Sequence, residues 1–230
     1  MIRAITLDAA GTLLAPREPV GTTYARIART FGIVARPSAV ETRFRRALRA
    51  APPLAFPGLE PTERTMGERA WWREIVRAAL GGGASHARFD ACFEALFTYY
   101  AQADAWRVFP DVAPALRGFR ARGLHLAVVS NFDGRLPDLL DALALAPALD
   151  LTLWSSAAGA AKPARAIFEM AARGLHVDIA DVCHVGDDVE ADVRGAKAAG
   201  AMAVHLDRTG RRSGSIRKLT DLLVRLPSAP

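Results

Sequence analysis

After Pro110 the chain alternates between helix-spaced and strand-like segments, and this rhythm constrains its fold more than any other feature. A helical pattern over 112–122 stops at Gly123 and gives way to Leu124-His125-Leu126-Ala127-Val128-Val129, an apolar run of strand character. Leu149 to Trp154, Val182 to Val185 and Met202 to Leu206 are further strand candidates, with helical patterns near 135–143, 164–174 and 189–199 between them. Such alternation implies right-handed crossovers and a parallel sheet covered on both faces. Residues 2–7 add a short first strand that ends at Asp8 and turns at Gly11-Thr12. The sequence therefore predicts an α/β fold, a doubly wound, Rossmann-like parallel sheet.

A different pattern separates that first strand from the others. From about residue 20 to 104, Tyr24 to Ala28, Val40 to Leu48, Trp71 to Leu80 and Phe89 to Tyr100 each carry apolar residues at helical spacing, and no strand interrupts them. Pro52-Pro53, Pro57, Gly58 and Pro61 mark one loop, and Gly81-Gly82-Gly83 marks another. The expected organisation is a core domain of residues 1–14 and 109–230 with an all-helical subdomain, 15–108, inserted into it. Helical spacing assigns Trp71-Trp72 and the stripe Phe89, Phe93, Phe97, Tyr100 to core packing rather than to a ligand.

At 230 residues, about half of them apolar, the chain buries a substantial core. Its formal charge of +6 comes largely from arginines scattered singly through helical stretches, so nucleic acid is not an expected partner, while anionic substrates are attracted. Cys92 and Cys183 lie far apart, which argues against a disulfide framework or a zinc site. The first apolar run is too short for a signal peptide, and none is long enough to span a membrane. These features predict a cytoplasmic protein acting on a small anionic molecule; monomer and homodimer both fit.

Ligands of an open parallel sheet bind beyond the carboxyl ends of its strands. The residues there are Asp8, then Ser130-Asn131, then Lys162-Pro163, then Gly186-Asp187-Asp188 with Asp192. Each alone reads as a cap or turn former. Together they supply a nucleophile, an anion clamp and a cation seat. Several carboxylates crowded together repel unless a lysine or a hard cation neutralises them, and Mg²⁺ suits oxygen ligands.

With these residues the chain resembles the haloacid dehalogenase-like hydrolase superfamily. Asp8-x-x-Gly11-Thr12, Ser130-Asn131, Lys162-Pro163 and Gly186-Asp187-Asp188-x-x-x-Asp192 match its four motifs in order, and the helical block lies where that family inserts its helical cap. Asp8-Ala9-Ala10-Gly11-Thr12-Leu13-Leu14, Arg17-Glu18-Pro19-Val20-Gly21, Ser130-Asn131-Phe132-Asp133 and Ala157-Ala158-Gly159 are similar to the rhythmically-expressed-gene-2-like subgroup. The resemblance implies a phosphatase in which Asp8 attacks phosphorus and forms an aspartyl-phosphate, with Lys162 neutralising the charges. It implies Mg²⁺ held by Asp8, the backbone carbonyl of Ala10 and Asp187, with Asp188 or Asp192 orienting its water. It also implies phosphoryl binding by Ser130 and the backbone of Asn131, with Thr12 supporting the loop at this phosphate site.

One position departs from the pattern. The superfamily's phosphatases carry a second aspartate two residues after the nucleophile as general acid and base, and here that residue is Ala10. Its loss costs ~10²–10⁴ in rate for a poor leaving group. The resemblance therefore leaves open a catalytically impaired binding or regulatory protein. Phosphonoacetaldehyde hydrolases share the pattern but need a cap lysine, and the lysines here are Lys162, Lys197 and Lys218. A 2-haloacid dehalogenase would place an aromatic residue where Ala10 stands and would not need the acidic cluster.

Overall fold

A computed structural model describes residues 1–85 and 87–226. The chain divides into two compact units, one of 1–15, 54–58 and 108–230, the other of 16–53 and 59–107. The first holds a five-stranded sheet. Its strands are β1 (Ala4–Leu7), β4 (His125–Ser130), β5 (Leu151–Trp154), β6 (Val182–Gly186) and β7 (Met202–His205), in the order β5-β4-β1-β6-β7. All four pairings are parallel. The passages between the units, β2 (Leu14–Pro16) and β3 (Trp106–Val108), pair as a two-stranded ribbon.

The sheet is buried on both faces, as its apolar strands require. Ala127 and Val129 join Ile167, Phe168, Ala171, Ala172, Ala196 and Ala199 in one cluster, so the helices Arg165–Gly174 and Gly195–Ala199 cover that face. Leu126 and Val128 alternate to the opposite side and are equally buried. The small residues let a helix approach closely: a Cβ on Gly195 would lie 2.9 Å from Phe168 and 2.8 Å from Pro163. β1 sits at the centre, and the chain runs outward first through β4 and β5, then through β6 and β7. That reversal of direction is the switch point at which open sheets leave a crevice.

The second unit consists of the helices Val20–Thr30, Pro37–Ala50, Pro61–Leu80 and Phe89–Tyr99. Its core gathers Tyr24, Ala28, Val40, Val76, Leu80, Phe89, Phe93 and Leu96, so the phenylalanine stripe packs as its spacing predicts. Arg69 and Arg77 lay their guanidinium groups over Phe97 and Phe89, with 4.8 and 4.7 Å to the ring centroids. These arginines cover aromatic faces, which accounts for part of the positive charge without a polyanionic partner. Pro61, expected in a loop, instead opens a helix. It occupies the first turn, where its missing N–H costs nothing, and Glu60 with Glu63 completes a capping box.

Residues 54–58 leave the helical stretch and join the sheet unit. Ser155 donates its hydroxyl to the Leu54 carbonyl at 2.5 Å. Gly159, at φ +66°, has Pro57 so close that a Cβ would stand 2.9 Å from its Cα. Among the described residues no helix is long and apolar enough to cross a membrane.

Phe168 is 2% exposed and packs T-shaped against the His184 ring, 5.0 Å between centroids. Phe168→Ala is expected to lower stability by about 3–5 kcal/mol, read from urea midpoints, because the rigid sheet closes poorly on the cavity. A loss below about 1 kcal/mol would contradict this packing.

Candidate active site

Asp8 continues directly from β1, with its N–H donating to the Val185 carbonyl of β6 at 2.9 Å. The strand ladder therefore fixes its backbone against β6. Its side chain turns into the crevice, where Oδ1 accepts the Ser130 hydroxyl at 2.9 Å and the Lys162 ammonium at 2.7 Å. Lys162 also donates to Asp192 Oδ1 at 2.6 Å. All four residues are nearly inaccessible to water.

Other residues hold this group from behind. Asn131 grips the backbone of Lys162 at two points, accepting its N–H at 2.7 Å and donating Nδ2 to its carbonyl at 2.9 Å. Asp192 lies in the π-helical turn Val189–Arg194, where its Oδ2 accepts the Asp188 N–H at 2.9 Å. The carboxylate of Asp188 caps that turn by accepting the N–H groups of Glu190 and Ala191, both at 2.8 Å. His184 bridges Asp192 Oδ1, at 3.2 Å from Nε2, to the Thr6 hydroxyl, at 2.8 Å from Nδ1.

The charges determine one another. Burial disfavours the Lys162 ammonium, but the carboxylates of Asp8 and Asp192 outweigh it and hold its pKa above the ordinary lysine value. Burial opposes ionisation of Asp192 as well, yet Lys162 and His184 keep its carboxyl well below the usual range. Asp8 is shifted upward, because desolvation exceeds the help from Lys162 and Ser130. Burial lowers the pKa of His184, leaving the ring neutral. Nε2 then carries the proton given to Asp192, and Nδ1 accepts from Thr6.

Asp187 is exposed as a residue, but its carboxyl packs against Gly11. That burial, followed by the charges of Asp8 and Asp192, pushes its pKa up to about 7. Carboxylate oxygens of Asp8, Asp187 and Asp192 lie within 4.8 Å of one another. An all-oxygen donor set under mutual repulsion fits a hard divalent cation. Two glycines make the crowding possible. A Cβ on Gly11, at φ +97°, would stand 2.4 Å from Asp187 Oδ2, and one on Gly186 would stand 2.1 Å from Asp192 Cγ.

The structure thus gathers Asp8, Ser130, Lys162, Asp187 and Asp192 at one sheet edge. The side chain of Asn131 is committed to Lys162, and the carboxylate of Asp188 to capping. The Thr12 hydroxyl is buried without a hydrogen-bond partner among the described residues, while Ala10 is exposed. Asp133 binds the guanidinium and the N–H of Arg135. On the β6–β7 flank, a cleft of about 790 Å³ includes Gly11, Asp187, His205, Arg208 and Arg212 in its lining. Sequence reasoning missed Thr6, whose place in a strand gives no signal, and Arg208, one arginine among many.

The sequence profile of haloacid dehalogenase-like hydrolases matches residues 2–200. Human haloacid dehalogenase-like hydrolase domain-containing protein 3 is 37% identical over 201 residues, 86% of this chain and 79% of the human one. Phosphatase MT3486 of Mycobacterium tuberculosis is 37% identical over 117 residues, 50% of this chain and 54% of its own. A HAD phosphatase from Thermococcus onnurineus shares the fold at a TM-score of 0.68 and 24% identity, covering 99% of both chains. L-2-haloacid dehalogenase from Xanthobacter autotrophicus does so at 0.68 and 22%, covering 100% of this chain and 85% of its own.

Lys162→Met strands two buried carboxylates and is expected to cost about 3–5 kcal/mol near neutral pH. With the ammonium gone, the folded-state pKa of Asp192 rises above its unfolded value, and that of Asp8, already raised, rises further. Their protonation then favours the fold, so the penalty relative to wild type shrinks as pH falls toward 5. A penalty independent of pH, in parallel denaturation series, would contradict the charge assignment.

Proposed function

The chain belongs to the haloacid dehalogenase-like hydrolases, and from that premise we propose that it is a Mg²⁺-dependent phosphatase of a small phosphorylated metabolite, with Asp8 as nucleophile. The observation that carries this reading is the buried Asp8–Lys162–Asp192 chain of contacts, with Ser130 and Asp187 beside it. The name of the mycobacterial relative, a phosphatase, supports the choice of phosphorus over carbon as the atom attacked. So does the acidic cluster, since attack on a haloacid needs no cation.

In this mechanism Ser130 and Lys162 both engage Oδ1 of Asp8. Among the described residues Oδ2 takes no hydrogen bond, and it is the oxygen that attacks phosphorus to give an aspartyl-phosphate, expelling the leaving group. The Lys162 ammonium neutralises both Asp8 and the incoming phosphoryl group, and Asp192 keeps that ammonium charged and in place. Ser130, on turning its one hydroxyl proton away from Asp8, and the backbone of Asn131 receive phosphoryl oxygens. Thr12 supports the turn that follows Asp8. Asp8, the Ala10 carbonyl and Asp187 would hold Mg²⁺, with Asp192 or Asp188 outside them, and the ion would supply positive charge against the phosphoryl oxygens. The helical unit, inserted between β1 and β4, serves as the cap that selects the substrate.

Ala10 sets the limits of the reaction. No carboxyl at that position donates a proton to the leaving oxygen, so acyl and aryl phosphates, whose leaving groups need none, are the favoured substrates. The same alanine supports a second reading, a protein that retains the site to bind a phosphorylated ligand without turning it over.

Asp8→Asn is expected to abolish Mg²⁺-dependent phosphate release, and undiminished turnover would exclude Asp8 as nucleophile. Ala10 is exposed. Ala10→Asp is expected to raise alkyl phosphate hydrolysis by ~10²-fold or more while changing little the rate of the first phosphoryl transfer from an acyl phosphate to Asp8. An inert wild type that binds Mg²⁺ and phosphate tightly would favour the second reading. Asp187 must shed its proton, with a pKa of about 7, to bind a cation. The half-saturating Mg²⁺ concentration is therefore expected to rise as pH falls from about 8 to about 6, and a flat titration would contradict the role of Asp187.

A further inference from the structure

Arg208 is the third residue after the sheet unit's last strand, β7, and lies outside the 2–200 stretch that the family profile covers. Its guanidinium is spread over the turn that follows Asp8. Nη2 donates to the Thr12 carbonyl at 2.6 Å, and Nε donates to the Gly11 carbonyl at 3.3 Å. The remaining arm, Nη1, donates to Asp111 Oδ1 at 2.9 Å. The face of the group rests on Phe109, 3.7 Å from the ring centroid.

Each of these supports is itself held. Asp111 Oδ2 accepts the Leu219 N–H at 2.6 Å, and hydrogen bonds from Arg208 and Leu219 keep its carboxyl below the usual range although burial opposes them. Phe109 donates its N–H to the Leu13 carbonyl at 3.0 Å, so it grips the same turn from the other side. The segment carrying Arg208 is tied down by Leu206 N–H to Gly186 carbonyl and Asp207 N–H to Ile216 carbonyl, at 2.8 and 2.9 Å. A planar fork with three directed contacts and a stacked face fixes orientation in a way that a flexible ammonium does not.

The turn so held has little room to move, because Gly11 already abuts the Asp187 carboxyl. We propose that Arg208 is a positioning residue for the reaction: by binding the carbonyls of Gly11 and Thr12 it fixes the turn after Asp8, and through it the placement of Asp8 against Asp187. This rests on the phosphatase reading for its kinetic consequence, but not for its structural one. A displacement of about 1 Å at a reacting group costs up to about a hundredfold in rate, so a clamp outside the site bears on kcat rather than on substrate affinity.

Arg208→Gln and Arg208→Lys in the 230-residue chain test the proposal, with kcat and KM for an acyl phosphate, a Mg²⁺ titration by calorimetry, and amide exchange over Gly11–Leu14. For Arg208→Gln the expected result is kcat lower by about tenfold to a hundredfold with KM within about twofold. Faster exchange over that turn and weaker Mg²⁺ binding should accompany it. Arg208→Lys should recover only part of kcat, since one ammonium does not span both carbonyls and Asp111. A folded Arg208→Gln with wild-type kcat overturns the proposal, as does faster exchange with unchanged kcat. Where Arg208→Gln fails to fold, Arg208→Lys decides, and wild-type kcat in that variant is contradictory. A wild type inert toward phosphates defeats the phosphatase reading alone. Exchange and Mg²⁺ binding then judge Arg208, and both unchanged in the variants overturns it.

Discussion

The ammonium of Lys162 sits between Asp8 and Asp192, 2.7 and 2.6 Å from their oxygens, and all three residues are buried. Taking such charges out of water costs several kcal/mol per ion and is tolerated only when geometry and further hydrogen bonds are good. Much of the local architecture provides them. Asn131 pins the Lys162 backbone, Ser130 completes Asp8, and His184 and the Asp188 N–H complete Asp192. Three acidic groups balanced by one lysine still leave negative charge, which adds to burial in raising the pKa of Asp187 and fits a divalent cation.

The sheet makes this arrangement possible. β1, β4 and β6 are neighbours in register, so Asp8, Ser130 and Gly186-Asp187 emerge side by side although more than a hundred residues separate the first from the others. Glycine at positions 11 and 186 gives the carboxyl groups of Asp187 and Asp192 the space that a methyl group would fill. The constellation depends on parallel topology at the switch point and on two missing side chains, more than on any single hydrogen bond.

Strand and helix order, the central sheet and the helical character of the inserted stretch were legible because apolar periodicity carries them directly. The gathering of Asp8, Ser130, Lys162, Asp187 and Asp192 was legible because each follows a strand or its loop. Other features left no trace in the pattern. Pro61 read as a loop breaker because proline at a helix start and proline in a loop look alike without the cap geometry around Glu60 and Glu63. The return of 54–58 to the sheet unit depends on Ser155 and Gly159, a hundred residues away. Asn131, next to the expected phosphate site, spends its side chain on Lys162, and Arg208 becomes distinctive only when the Gly11 and Thr12 carbonyls lie beneath it.

The central claim is that Asp8 becomes phosphorylated during turnover. Mixing the protein with Mg²⁺ and an acyl phosphate, quenching in acid and mapping peptides by mass spectrometry tests it directly. The account requires one added phosphoryl group on the peptide that contains Asp8, absent from Asp8→Asn and discharged on a longer incubation before the quench. Turnover with no such adduct at any quench time, or an adduct on another residue, would contradict it.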